Sequence, residues 1–89
     1  MDKRPGYGEA GNNLALVLAA RGDAAGAIAV LQRLMQDEPA FEMTYVTLAR
    51  IYLKAGQRRE GIQVLERLLQ RNPSHPLGLQ LLQQLRAEG

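Results

Sequence analysis

Residues 28–39 read Ile28-Ala-Val-Leu-Gln-Arg-Leu-Met-Gln-Asp-Glu-Pro39, and residues 62–73 read Ile62-Gln-Val-Leu-Glu-Arg-Leu-Leu-Gln-Arg-Asn-Pro73. From 28 to 62 is a step of 34, and the same step carries Leu14 onto Leu48, Ala15 onto Ala49 and Gly22 onto Gly56. What recurs is an apolar spacing, a turn glycine and a closing proline, the features that set backbone and packing. A unit of this length is one supersecondary element that cannot bury its apolar face alone, so such units must stack on one another.

Periodicity within the units is helical throughout, with no sustained apolar/polar alternation that would mark a strand. The spacing predicts a first helix over about residues 8–20, with Leu14, Val17 and Leu18 on its buried side. Gly22 suits a left-handed position after its end, and Asp23 suits the N-cap of the next helix. That second helix spans about 24–37 and places Ile28, Leu31, Leu34 and Met35 three and four apart. Glu38-Pro39 stops it, since proline disfavours the helical conformation of the residue before it. A third helix over about 41–54 carries Tyr45, Leu48, Ala49 and Tyr52, and Gly56 repeats the first turn. A fourth over about 58–71 repeats Ile62, Leu65, Leu68 and Leu69 and ends at Asn72-Pro73. The last, over about 76–87, opens with Pro76 at the first helical position, where a missing N–H costs nothing. Turns this short fold each helix back along the previous one. Small residues at Ala15 and Ala49, and at Ala27 and Gly61, allow the paired backbones to approach closely. The expected fold is therefore all-α: about five helices, as antiparallel helix-turn-helix repeats stacked into a short right-handed solenoid.

Composition narrows the function. The 89 residues make one small domain, and with 46% hydrophobic residues and no Trp the core rests on Leu, Ala, Val and Ile. The net charge of +2 comes from interspersed charges rather than a basic patch, which argues against a nucleic-acid platform. RNA-reading helical repeats run about one residue longer and carry polar code positions beside basic surface. The absence of Cys excludes disulfides and thiolate metal sites. The longest apolar runs, such as residues 14–20, are far short of the roughly 20 residues of a membrane span. The opening, Met1-Asp-Lys-Arg-Pro-Gly6, has no hydrophobic stretch behind it and reads as a loose lead-in rather than a secretory leader. A soluble, cytoplasmic protein with no cofactor is expected.

Catalytic groupings are scarce. The single His, His75, stands in the turn Asn72-Pro-Ser-His-Pro76 with no Cys or carboxylate pair nearby, and reads as a turn or cap residue. Asp37-Glu38 reads as a solvated pair at a helix end. Ser74, the only serine, has no positioned base. Gly6, Gly8 and Gly11 follow no strand and form no phosphate cradle. No nucleophile, base and orienting group assemble, so the chain is not expected to be an enzyme.

The pattern resembles the tetratricopeptide repeat family. Its motif, a large residue, then Leu-Gly or Leu-Ala, Tyr, Gly, Ala, a large apolar residue and Pro, is met at Tyr45, Leu48-Ala49, Tyr52, Gly56, Gly61, Leu65 and Pro73. The first copy supplies Leu14-Ala15, Leu18, Gly22, Ala27, Leu31 and Pro39 but has Gly11 where a bulky residue is expected. The resemblance divides the chain into a flexible lead-in (1–7), two repeats (8–41 and 42–75) and a capping helix or truncated third repeat (76–89). It implies that the first helices line a concave groove for a peptide or helix of a partner protein, at Glu9, Asn12, Asn13, Leu16, Ala20, Met43, Val46, Thr47, Arg50, Leu53 and Lys54, with Leu77, Gln80, Leu81 and Gln84 from the last helix. The positions of the chaperone-tail carboxylate clamp hold Asn12, Leu16, Thr47, Leu77 and Leu81, so that clamp is absent. Arg50 and Lys54, four apart on one face, repel each other mildly unless an anion offsets them. The simpler reading is a solvated face balanced by Glu9 of the neighbouring helix, and the other is an acidic residue on a ligand. Apolar Met43, Val46 and Leu53 beside them suit an amphipathic ligand carrying acidic residues. A competing expectation comes from the last helix. Leu79 and Leu82 fit its packing register whereas Leu77 and Leu81 lie off it, and exposed leucines there would serve a homodimer.

Overall fold

The structure, a computed structural model, describes residues 7–88 as five helices: α1 (Tyr7–Ala20), α2 (Ala24–Asp37), α3 (Met43–Lys54), α4 (Arg58–Arg71) and α5 (Pro76–Glu88). No strand occurs among the described residues. The lead-in expected over 1–7 lies, apart from Tyr7, outside them. Each helix packs on the next, and α1 also touches α3, so consecutive helices form a stack of antiparallel pairs.

Two turns of identical design make the pairs. Gly22 and Gly56 have φ of 88° and 79°, the left-handed region that glycine enters without a Cβ clash. Around Gly22 the Asp23 N–H donates to Leu18 O (2.9 Å) and the Gly22 N–H to Ala19 O (3.0 Å). Around Gly56 the Gln57 N–H donates to Tyr52 O (2.8 Å) and the Gly56 N–H to Leu53 O (3.1 Å). These are Schellman closures, which satisfy carbonyls that the helix end leaves open. Asp23 then caps α2, its carboxylate accepting from the Gly26 N–H at 2.8 Å.

Between pairs the chain turns at proline. The α3 helix starts two residues later than its apolar pattern suggests, because Thr44 N–H donates to Phe41 O and Tyr45 N–H to Glu42 O. Those i to i−3 bonds make a tight 3₁₀-type lead-in rather than α-helix. Tyr45 OH fastens this corner by donating to Pro39 O at 2.9 Å. The matching corner before α5 is braced across repeats. Asn72 Nδ2 donates to Glu42 Oε1 at 3.2 Å, and His75 Nε2 lies 3.7 Å from the same oxygen. His75 also caps α5, with Nδ1 accepting from the Gly78 N–H at 3.1 Å.

The core runs along the stack as Leu31, Leu34, Tyr45, Leu48, Ala49, Leu65 and Leu68, with Ala15 and Ala27 fully buried. Gly11, anomalous in the sequence, has a packing reason: a Cβ there would stand 3.1 Å from Leu34 Cδ2. Two expectations are corrected. Leu14 and Val17 are not on the buried side of α1; they are 50% and 47% exposed, and Ala15 and Asn12 point inward instead. On α5, Leu82 and Leu85 are buried and Leu77 and Leu81 pack partly on the core, whereas Leu79 is exposed. The α5 face is thus turned relative to the expected register.

Because no atom lies within 4 Å of a Cβ added at Gly56, its replacement tests backbone strain alone. Gly56→Ala should lower the unfolding free energy by about 1–2 kcal/mol, read from the shift in urea midpoint at unchanged slope.

Candidate partner-binding groove

The expected groove residues separate into two groups. Val46, Thr47 and Asn12 are buried. Asn13, Leu16, Met43, Arg50 and Lys54 are exposed, and Leu53 is half-buried. Leu16 and Met43, at 48% and 43% exposure, keep apolar surface in water on the first helix of each repeat.

The helical register explains this division. Thr44 to Ala49 are buried without interruption because α3 is covered by α2 on one side and α4 on the other. Only the side of α3 bearing Met43, Arg50 and Lys54 reaches solvent. Among the described residues neither Arg50 nor Lys54 forms an ion pair, and Glu9 does not supply the balancing charge. Arg33, by contrast, pairs with Asp37 at 3.3 Å on α2.

Four expected inner-face residues meet in one cleft. Leu53 and Lys54 from the end of α3 face Leu81 and Gln84 of α5, with Leu85 and Arg58 completing the walls. Leu53, Leu81 and Leu85 give an apolar floor, and Lys54 supplies a cation at the rim. Arg58 is committed to the fold, since its Nη2 donates to Leu85 O, one of the carbonyls left open at the end of α5. That bond, which spacing does not reveal, fixes α5 against the second turn. Glu66 and Arg86 add a surface pair at 3.6 Å.

Among the described residues, two buried oxygens have no hydrogen-bond partner: Asn12 Oδ1 and Thr44 Oγ1. An orphaned buried acceptor costs on the order of 1–3 kcal/mol, so a chain keeps one against its own stability. Asn12 lies among the expected groove residues of α1. No cluster of three or more His, Asp or Glu able to hold a metal occurs among the described residues.

The family model for the tetratricopeptide repeat matches this chain over residues 18–85. The chain belongs to the tetratricopeptide repeat family. Tetratricopeptide repeats generally mediate protein–protein interaction and are typically non-catalytic. No curated protein matches the chain. None of this repeat protein's described helices is long and apolar enough to cross a membrane.

The orphaned amide gives a stability test that does not require a partner. Asn12→Leu, which removes the unpaired oxygen at similar volume, should leave stability unchanged or raise it by about 1 kcal/mol in chemical denaturation. A loss of comparable size would show that the amide is bonded in solution.

Proposed function

We propose that this tetratricopeptide repeat chain is a non-catalytic interaction module that holds an amphipathic, partly acidic peptide or helix of a partner protein on its inner face. The observation that carries the reading is the cleft between α3 and α5, where Leu53, Leu81 and Leu85 form an apolar floor beside the ammonium of Lys54, which has no ion-pair partner among the described residues. An apolar anchor on the ligand fills the floor, and a carboxylate one turn away meets Lys54 and Arg50. Leu16 and Met43 extend the apolar track toward the first repeat, and methionine adapts its shape to more than one anchor. Self-association through Leu77 and Leu81 has less support, because both side chains are already partly packed on this chain's own core.

Panning a displayed library of 16-residue peptides against the full chain tests the reading. Selected peptides should combine apolar anchors with Asp or Glu and should bind at least about tenfold more weakly to an Arg50→Glu, Lys54→Glu variant of unchanged helicity. Equal affinity for both chains would refute the inner face as the site.

A further inference from the structure

The 34-residue register allows a position-by-position comparison of the two repeats, and it isolates one surface. Leu48 is 1% exposed and Ile51 5%, whereas their counterparts Leu14 and Val17 are 50% and 47% exposed. Thr44 is fully buried and its counterpart Ala10 is exposed. Backbone and helix position are the same in each comparison. What differs is the covering layer: α2 lies over α3, and no described element lies over α1 on that side.

The seat for such a layer is already formed. A cleft on the outer side of the first pair is lined by Leu14, Ala29, Val30 and Arg33. Moved on by 34, these become Leu48, Gln63, Val64 and Arg67, which line a cleft whose opposite wall is Gln32, Met35 and Gln36 of α2. The same four positions therefore occur twice, once beneath a helix and once open. This continuity with the interface inside the chain identifies what the open copy accepts. We infer that the α1/α2 end face is a docking surface, separate from the inner face, for an amphipathic helix of another polypeptide lying as α2 lies on α3 and α4.

The chemistry of the open seat refines that partner. Gln32 Nε2 donates to Tyr52 OH at 2.8 Å in the occupied copy, but the counterpart of Tyr52 is Leu18, which offers no hydroxyl. Ala29 replaces Gln63 and Gly26 replaces Glu60, so the open seat is the more apolar of the two. A helix with an apolar residue at the position of Gln32, as well as at that of Met35, gives up no hydrogen bond on the open seat and adds apolar contact with Leu18. Arg33 remains at the rim, as Arg67 does in the occupied copy. Contiguous exposed apolar surface of this kind on a small soluble chain marks an interaction site.

The probe is a synthetic peptide of residues 24–38, stapled across positions 29 and 33, which are exposed on α2. Titrated into the ¹⁵N-labelled full chain, it should shift the amides of Ala10, Leu14, Val17 and Val30, and its Gln32→Leu form should bind more tightly. A Leu14→Glu, Val17→Glu chain should bind at least about tenfold more weakly while keeping its helicity, since both side chains are half-exposed. If the glutamates unfold the chain, Leu14→Gln with Val17→Thr makes the same comparison. Shifts confined to the inner face, no binding, or equal binding to the double variant would overturn the inference. So would broadening of the α1 amides that depends on chain concentration without peptide, because a second copy would then be the occupant. The position of the shifts separates failure here from failure of the inner-face reading.

Discussion

The two helices of a pair touch where there is almost no side chain. A Cβ added at Gly61 would stand 3.3 Å from Ala49 O, closer than such contacts usually run, and Ala15 and Ala27 are completely buried at the corresponding place in the first pair. Close approach brings Leu31, Leu48, Leu65 and Leu68 into full contact, and each is at most 1% exposed. Truncating a leucine of this kind costs about 2–5 kcal/mol, because the cavity left behind adds to the lost transfer energy. A pair held so closely is rigid but thin. It leaves an apolar face outward, and stacking on a neighbouring pair is what covers that face.

The polar contacts arrange this packing rather than drive it. Two left-handed glycines reverse the chain, and two prolines stop the helices that follow. The corner between repeats is then fixed by Tyr45 on Pro39 and by Glu42 with Asn72 and His75. The single histidine is thereby accounted for as a helix cap. Arg58 on the end of α5 brings the last helix over the second turn, which closes one wall of the cleft containing Lys54.

Much of the fold was legible in the sequence. The bounds of α2 and α4 agree with expectation residue for residue, because each begins after a positive-φ glycine turn and ends one residue before an X-Pro pair. The start of α3 was misjudged because Phe41 and Glu42 carry helix-compatible side chains while their hydrogen bonds are of the tighter type. The burial of α1 was legible only in part: Ala15 and Leu18 face inward as expected, whereas Leu14 and Val17 do not. Leu14 and Val17 are as apolar as Leu48 and Ile51, and periodicity does not distinguish a face that is covered from one awaiting cover. On α5, five leucines in 13 residues fit more than one register, and contact with α4 selects Leu82 and Leu85. For the groove, the resemblance supplied the positions. It did not indicate that Val46 and Thr47 are interior, nor that of its positions Leu53, Lys54, Leu81 and Gln84 in particular share one cleft.

The central claim is that stability resides where a pair is covered on both sides and falls off at the ends of the stack. Native-state amide hydrogen exchange reads this helix by helix. The account predicts that α3 and the facing side of α4 exchange only through global unfolding, with α1 and α5 opening first. Uniform protection from α1 to α5, or greatest protection in α1, would contradict it.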